Sequence, residues 1–197
     1  MKRIILFSTP TENNTKTLLN LIFPNSIKNK VFAYMPSDGA NCPQKYIDEW
    51  KRYAQEYKTE FRYIDNSKEK STEEVKKLHG SNILVITGGN TFKLLDNLRK
   101  SGLDNAIKKL ASKEEFVLAG FSAGALVLTP TIKVCNLPNY DENLVGITDL
   151  VGLNLVDFEV FPHYEETQHK SDLNKYRTTT KNEVKKITND DYLVINL

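Results

Sequence analysis

Few side chains in this sequence are able to act as a nucleophile with a base beside it. The stretch Gly120-Phe121-Ser122-Ala123-Gly124 fits the pattern G-x-S-x-G. In that motif a strand turns sharply into a helix and the serine hydroxyl is lifted clear of the sheet. The flanking glycines suit it, since strand and helix pass closely at such a turn. A plainer reading is a glycine-bearing turn with an inert serine. The apolar run Phe116-Val117-Leu118-Ala119 directly before it reads as a buried strand and favours the elbow, so Ser122 is the candidate nucleophile.

A serine hydroxyl needs a base to take its proton, and the chain has three histidines. His79 precedes Gly80 where a helix opened by Ser71 and Glu74 should stop, so it suits a helix C-terminus, with Gly80 as a left-handed cap. His169 lies in the polar run Glu165–Lys170 and is expected to face solvent. His163, in Val160-Phe161-Pro162-His163-Tyr164, follows an apolar run and so falls at a strand's carboxyl end. A histidine there is often structural; paired with an elbow serine, His163 is the candidate general base. Acyl transfer also needs donors for a developing oxyanion. The Ala123 N–H is one, and the turn Gly88-Gly89-Asn90, which closes a strand and opens a helix, can offer a second. A phosphate-binding or merely tight turn is the plainer reading of that second segment.

The elements that must hold these groups alternate in kind. Apolar runs at 4–7, 31–35, 61–64, 83–86 and 116–120 read as strands, and helical patterns lie between them. In the helix at 44–57, Tyr46, Trp50, Tyr53 and Tyr57 recur at spacings of three and four with Ile47 and Ala54, a stripe expected to be core. Ile83–Ile86 is apolar throughout, as befits a strand covered on both faces. The segment 136–149 reads as loop; 158–161 and 192–196 read as late strands. The expected fold is α/β, a three-layer sandwich on a mainly parallel sheet, with residues 1–197 as one domain. Active sites of such sheets gather at the carboxyl ends of the strands, where the turns after Met35, Thr87 and Ala119 fall.

Bulk composition removes other classes. Net charge is +2, with 27 basic and 25 acidic side chains, and the lysine pairs lie near acids. Nothing there suggests a nucleic-acid or anionic-membrane partner. No stretch has the length of a membrane span. Cys42 and Cys135 lie far apart, outside any metal-ligand spacing, which fits a reduced, cytoplasmic setting.

Gly88-Gly89-Asn90-Thr91-Phe92-Lys93-Leu94-Leu95, Gly120-Phe121-Ser122-Ala123-Gly124-Ala125, Pro130-Thr131-Ile132 and Pro162-His163-Tyr164 occur in that order. Together they resemble the aspartyl dipeptidase (dipeptidase E) and cyanophycinase family of serine peptidases. The resemblance runs from about residue 82 to 164. It implies a fold related to class I glutamine amidotransferases, Ser122 as nucleophile, His163 as base, the Gly89 and Ala123 N–H groups as oxyanion hole, and no cofactor or metal. It also implies short peptide substrates with an N-terminal aspartate, with Asn90 at the substrate; an aspartyl side chain wants a cation, for which Arg177 is a candidate, a plain surface role being the other reading. A monomer or homodimer is expected. The family's third triad member is an acid before a late strand, here the region Thr188-Asn189-Asp190-Asp191. A strict register points to Asn189 and a one-residue shift to Asp190, which is the chosen candidate; an asparagine could also orient the imidazole. Leu137 falls where the family carries a further acid near its site.

Two other readings fit the same residues. An α/β-hydrolase-type esterase shares the elbow but orders its triad serine, acid, histidine, with Asp141, Asp149 or Asp157 as the acid. The other is a catalytically inactive homologue that binds peptides in the same cleft.

Overall fold

In a computed structural model, described for residues 1–138 and 140–197, six strands form one central sheet. These are β1 (Lys2–Phe7), β2 (Val31–Met35), β3 (Glu60–Tyr63), β4 (Ile83–Ile86), β5 (Phe116–Phe121) and β8 (Tyr192–Asn196). Their order across the sheet is β3-β2-β4-β5-β1-β8. Five run parallel, and β8 alone pairs antiparallel, with β1. Two short strands, β6 (Glu159–Phe161) and β7 (Val184–Lys186), pair in parallel as a separate ribbon.

The strand side chains alternate between two cores. Ile4, Leu6, Met35, Leu84 and Ile86 face one layer, which includes α4 (Thr91–Ser101), α5 (Leu103–Ala111) and α6 (Ala123–Val127). Ile5, Phe7, Phe32, Tyr34, Ile83 and Val85 face the other, with α1 (Thr15–Ile22) and α2 (Gln44–Glu56). Both faces are therefore apolar, so the central strands read as unbroken hydrophobic runs rather than alternating ones. The fold is the three-layer α/β sandwich expected from the sequence.

Some local expectations need correcting. Ser71 caps α3 (Thr72–His79), accepting a hydrogen bond from the Glu74 N–H. Gly80 is not left-handed, however; its φ is −79°. A Cβ there would come within 2.2 Å of Arg62 Nη1, the tip of a flexible side chain that can move aside. The aromatic stripe of α2 divides: Trp50 and Ala54 are buried, whereas Tyr46 is exposed. Helix α7 (Glu166–Arg177) and strand β7 had no sequence signal. Only Leu173 and Tyr176 of α7 are buried, and β7 is Val-Lys-Lys, so neither shows the apolar periodicity that marks an element.

Candidate active site

Strand β5 ends at Phe121 and α6 begins at Ala123, so a single residue, Ser122, makes the turn. Its φ and ψ are 51° and −118°, a conformation costing a non-glycine residue about 1–3 kcal/mol. Neighbouring contacts hold it there. The Ser122 N–H donates to the Phe7 carbonyl across the sheet (3.0 Å), and α6 passes so close that a Cβ on Gly124 would sit 2.1 Å from the Ile86 carbonyl oxygen.

His163 follows β6 and Pro162, and also has a positive φ, 56°. Its backbone N–H donates to Ser8 Oγ (2.8 Å), and Ser8 Oγ donates to the Ile187 carbonyl (3.0 Å). Ser8 is fully buried at the carboxyl end of β1, so it ties the histidine turn to the main sheet. No sequence motif marks Ser8; the only cue is its position directly after an apolar strand. The result is that His163 Nε2 lies 2.9 Å from Ser122 Oγ.

The other ring nitrogen, Nδ1, lies 2.8 Å from Asn189 Oδ1. An amide oxygen only accepts, so this contact puts the proton on Nδ1 and leaves a lone pair on Nε2, facing the serine. The residue at the imidazole is thus Asn189 rather than Asp190. Asp190 turns the opposite way, accepting hydrogen bonds from Thr11 Oγ1 (2.7 Å) and Asn13 Nδ2 (3.1 Å). Those two donors hold its carboxyl below the usual carboxylate range. Asn14, nearly buried, completes the tether by donating from Nδ2 to the Asn189 carbonyl (3.1 Å). Since neighbouring side chains in this loop point to different partners, a one-residue register decides which of them meets the histidine. Of the acids needed for the esterase order, Asp149 pairs with Arg99 and Asp141 accepts from the Thr91 N–H; neither is the Nδ1 partner.

Gly89, with φ 142°, turns the chain between β4 and α4; a Cβ would lie 1.9 Å from Ser37 Oγ. Among the described residues neither the Gly89 nor the Ala123 N–H has a hydrogen-bond acceptor. Asn90 caps α4, accepting from the Lys93 N–H (2.9 Å), and donates to the Glu142 carbonyl (2.8 Å). Arg177 lies at the end of α7, where its Nη2 donates to the Val184 carbonyl (2.8 Å). It serves the β7 ribbon and does not line the cavity that holds Ser122 and His163.

That cavity, of about 220 Å³, is also walled by Thr91, Tyr140, Asp141 and His169. His169, expected in solvent, is half-buried there; its Nδ1 accepts from the Glu165 N–H (2.9 Å) and its ring lies against Phe161. Asp141 brings an acid to the site although Leu137, the expected position, is apolar. Thr91 is fully buried and its Oγ1 lacks a partner among the described residues. Among those residues no group of three or more His, Cys, Asp or Glu side chains is arranged to hold a metal ion.

A sheet of this topology with a serine on a strand-to-helix bend and a histidine at its hydroxyl defines a hydrolase-like α/β sandwich. The family model for peptidase family S51 matches residues 4–196, and the chain belongs to that family. Among its relatives is the uncharacterized peptidase Lmo0363 of Listeria monocytogenes, 28% identical over 179 residues, which span 88% of this chain and 85% of the relative. Peptidase E of Nostoc sp. is 31% identical over 171 residues, 83% of this chain and 66% of that one. A crystal structure from Listeria monocytogenes EGD-e, assigned provisionally to peptidase E, superimposes with a TM-score of 0.75 at 26% identity, covering 100% of this chain and 99% of that one. The protein is a peptidase, a hydrolase with a fold of the glutamine amidotransferase type. Among the described residues no helix is long and apolar enough to cross a membrane.

Proposed function

We propose that the protein hydrolyses short peptides through an acyl-enzyme on Ser122. The observation that carries this reading is the 2.9 Å approach of His163 Nε2 to the hydroxyl of a serine held at positive φ. His163 takes the hydroxyl proton as Oγ attacks the scissile carbonyl carbon, and the carbonyl oxygen becomes an oxyanion. The N–H groups of Gly89 and Ala123 receive that charge. Collapse of the tetrahedral adduct breaks the C–N bond, and His163 Nε2 gives its proton to the departing amine. Water, deprotonated by the same nitrogen, then attacks the acyl ester and releases Ser122. Asn189 orients the ring and fixes its tautomer, without the negative charge that a carboxylate would set against the imidazolium.

The two free cysteines are in keeping with a reducing compartment, and we place the activity in the cytoplasm. A preference for N-terminal aspartate would need a cation near the acyl group. Arg177, the candidate for that role, donates one hydrogen bond to Val184 and keeps its other N–H groups, but it does not line the cavity of Ser122, so the reading covers short peptides without that preference. The test is digestion of a dipeptide library by the wild-type and Ser122→Ala proteins. Hydrolysis should vanish in the variant while its circular dichroism is unchanged; equal turnover by the two proteins would refute the reading.

A further inference from the structure

A second cavity, larger than the one between Ser122 and His163, is a cleft of about 820 Å³ on the other side of the Gly88 turn, within the size range of small-molecule sites. Its place follows from the topology. From β2 the chain passes through α2 to β3 on one side, whereas from β4 it passes through α4 and α5 to β5 on the other. The connections diverge between neighbouring strands, and in open α/β sheets a crevice at such a divergence is where ligands bind. Tyr34 near the end of β2 and Thr87 after β4 both line the cleft.

Its walls are aromatic. Tyr34 and Trp50 stack at the floor, ring centroids 5.7 Å apart at 26°, and Tyr53 meets Trp50 edge-on at 5.6 Å. Tyr46 and Phe121 complete the apolar lining. The charged groups in it are all acids: Glu12, Asp38 and Glu49. Among the described residues no lysine, arginine or histidine lines it; Lys93 reaches only Asp38, to which it is paired at 2.9 Å.

The cleft also adjoins the reacting atoms. Gly88 lines it, yet a Cβ on Gly88 would stand 2.9 Å from Ser122 Cβ. Phe121, another wall residue, is bonded directly to Ser122. A peptide whose carbonyl sits over Ser122 therefore has this cleft within one side chain's reach.

We infer that the cleft between β2 and β4 receives an aromatic side chain of the peptide substrate and disfavours an acidic one. The inference rests on the peptidase reading above and names its substrate class. A ring entering there packs on the partly exposed rings of Tyr46, Tyr53 and Phe121, with the buried Trp50 against Tyr53. A carboxylate would instead be brought among Glu12 and Glu49 with no lining cation to meet it; Lys45 and Arg52 stand over the rings of Tyr46 and Tyr53.

The experiment compares kcat/KM for Phe-Ala, Ala-Phe, Asp-Ala, Ala-Asp and Ala-Ala. At one of the two positions phenylalanine should exceed alanine by about 10- to 100-fold, as expected for burying one ring, and aspartate should fall below alanine. Aspartate as the best residue at either position, or no gain from phenylalanine at both, overturns the inference. Trp50, the chain's single tryptophan, gives a second readout. Titrating the preferred phenylalanine dipeptide into the Ser122→Ala protein should change its tryptophan emission, and Cys42→Phe, which fills the cleft wall, should weaken that titration. Saturable binding seen by calorimetry with unchanged emission would put the ring elsewhere and defeat the proposal. Glu49→Lys, at an exposed position, should move the Phe-to-Asp ratio toward aspartate. If the wild-type protein cleaves none of these dipeptides, the hydrolytic reading fails by itself, and the Trp50 titration with wild-type protein still decides the cleft.

Discussion

The cavity that holds Ser122 and the cleft lined by Gly88 differ in almost every physical respect. The smaller, about 220 Å³, is walled by groups that can donate, accept or carry charge: Ser122, His163, His169, Asp141, Thr91. The larger, about 820 Å³, has five aromatic side chains and three carboxylates in its lining. Their supports differ too. The small cavity is assembled from distant segments, 122, 163 and 189, tied together by hydrogen bonds through Ser8 and Asn14. The cleft is lined by Tyr46, Glu49, Trp50 and Tyr53 of α2 together with the segments that follow β1, β2 and β4. Chemistry here depends on register between remote loops, whereas the cleft is shaped by one helix and the strand ends beside it. Substitutions should accordingly affect turnover on one side of Ser122 and selectivity on the other.

The sharpest separation comes from the base. His163→Ala should lower kcat by about 10⁴-fold for every peptide, leaving the ranking among peptides unchanged in steady-state assays. Loss of ring orientation costs less. Asn189→Ala should reduce kcat on the order of 10²-fold, as for a misplaced catalytic group, with KM nearly constant. Gly88→Ala would break the division itself, because its methyl group presses on Ser122 from the cleft side. A drop of about 10-fold in kcat together with a changed peptide ranking is expected there, measured across the same dipeptides. Asp190→Ala frees the loop that carries Asn189 and should cost about 5-fold in kcat, an effect on turnover alone.

A change remote from both cavities sets the baseline. Glu74 has a fully buried carboxylate; burial pushes its carboxyl up, but Lys77, the Asp65 N–H and Lys68 outweigh this and hold it below the usual range. Its folded value lies below its unfolded one. Its stabilisation is therefore present above the unfolded pKa, about 4.3, and is lost as pH falls through the folded value. Glu74→Gln should lower stability by about 1–3 kcal/mol at pH 7, and by less at pH 3, with kcat and peptide ranking untouched. Thermal melts at the two pH values check the sign.

Much of this plan is legible in the sequence. The central strands and the elbow announce themselves because burial on both faces forces unbroken apolar runs, and because Gly120 and Gly124 stand where backbone crosses backbone. The pairing of Ser122 with His163 is legible for a simpler reason: histidines are few and one follows a strand. The third partner is not, because Asn189 and Asp190 are both polar loop residues, and only the tether through Thr11, Asn13 and Asn14 sets which one turns inward. The cleft was hidden differently. Tyr46, Trp50 and Tyr53 show the same helical spacing whether the face they form is covered or left open. What decides it is the divergence of the chain between β2 and β4, a property of the strand order.

The division at Ser122 is tested most directly by mapping the site of attack on an electrophile. A fluorophosphonate incubated with the protein should leave one adduct, found by peptide mass mapping on Ser122, and His163→Ala should slow its formation by orders of magnitude. An adduct on another residue, or peptide hydrolysis that continues undiminished in a protein fully labelled at Ser122, would contradict the account.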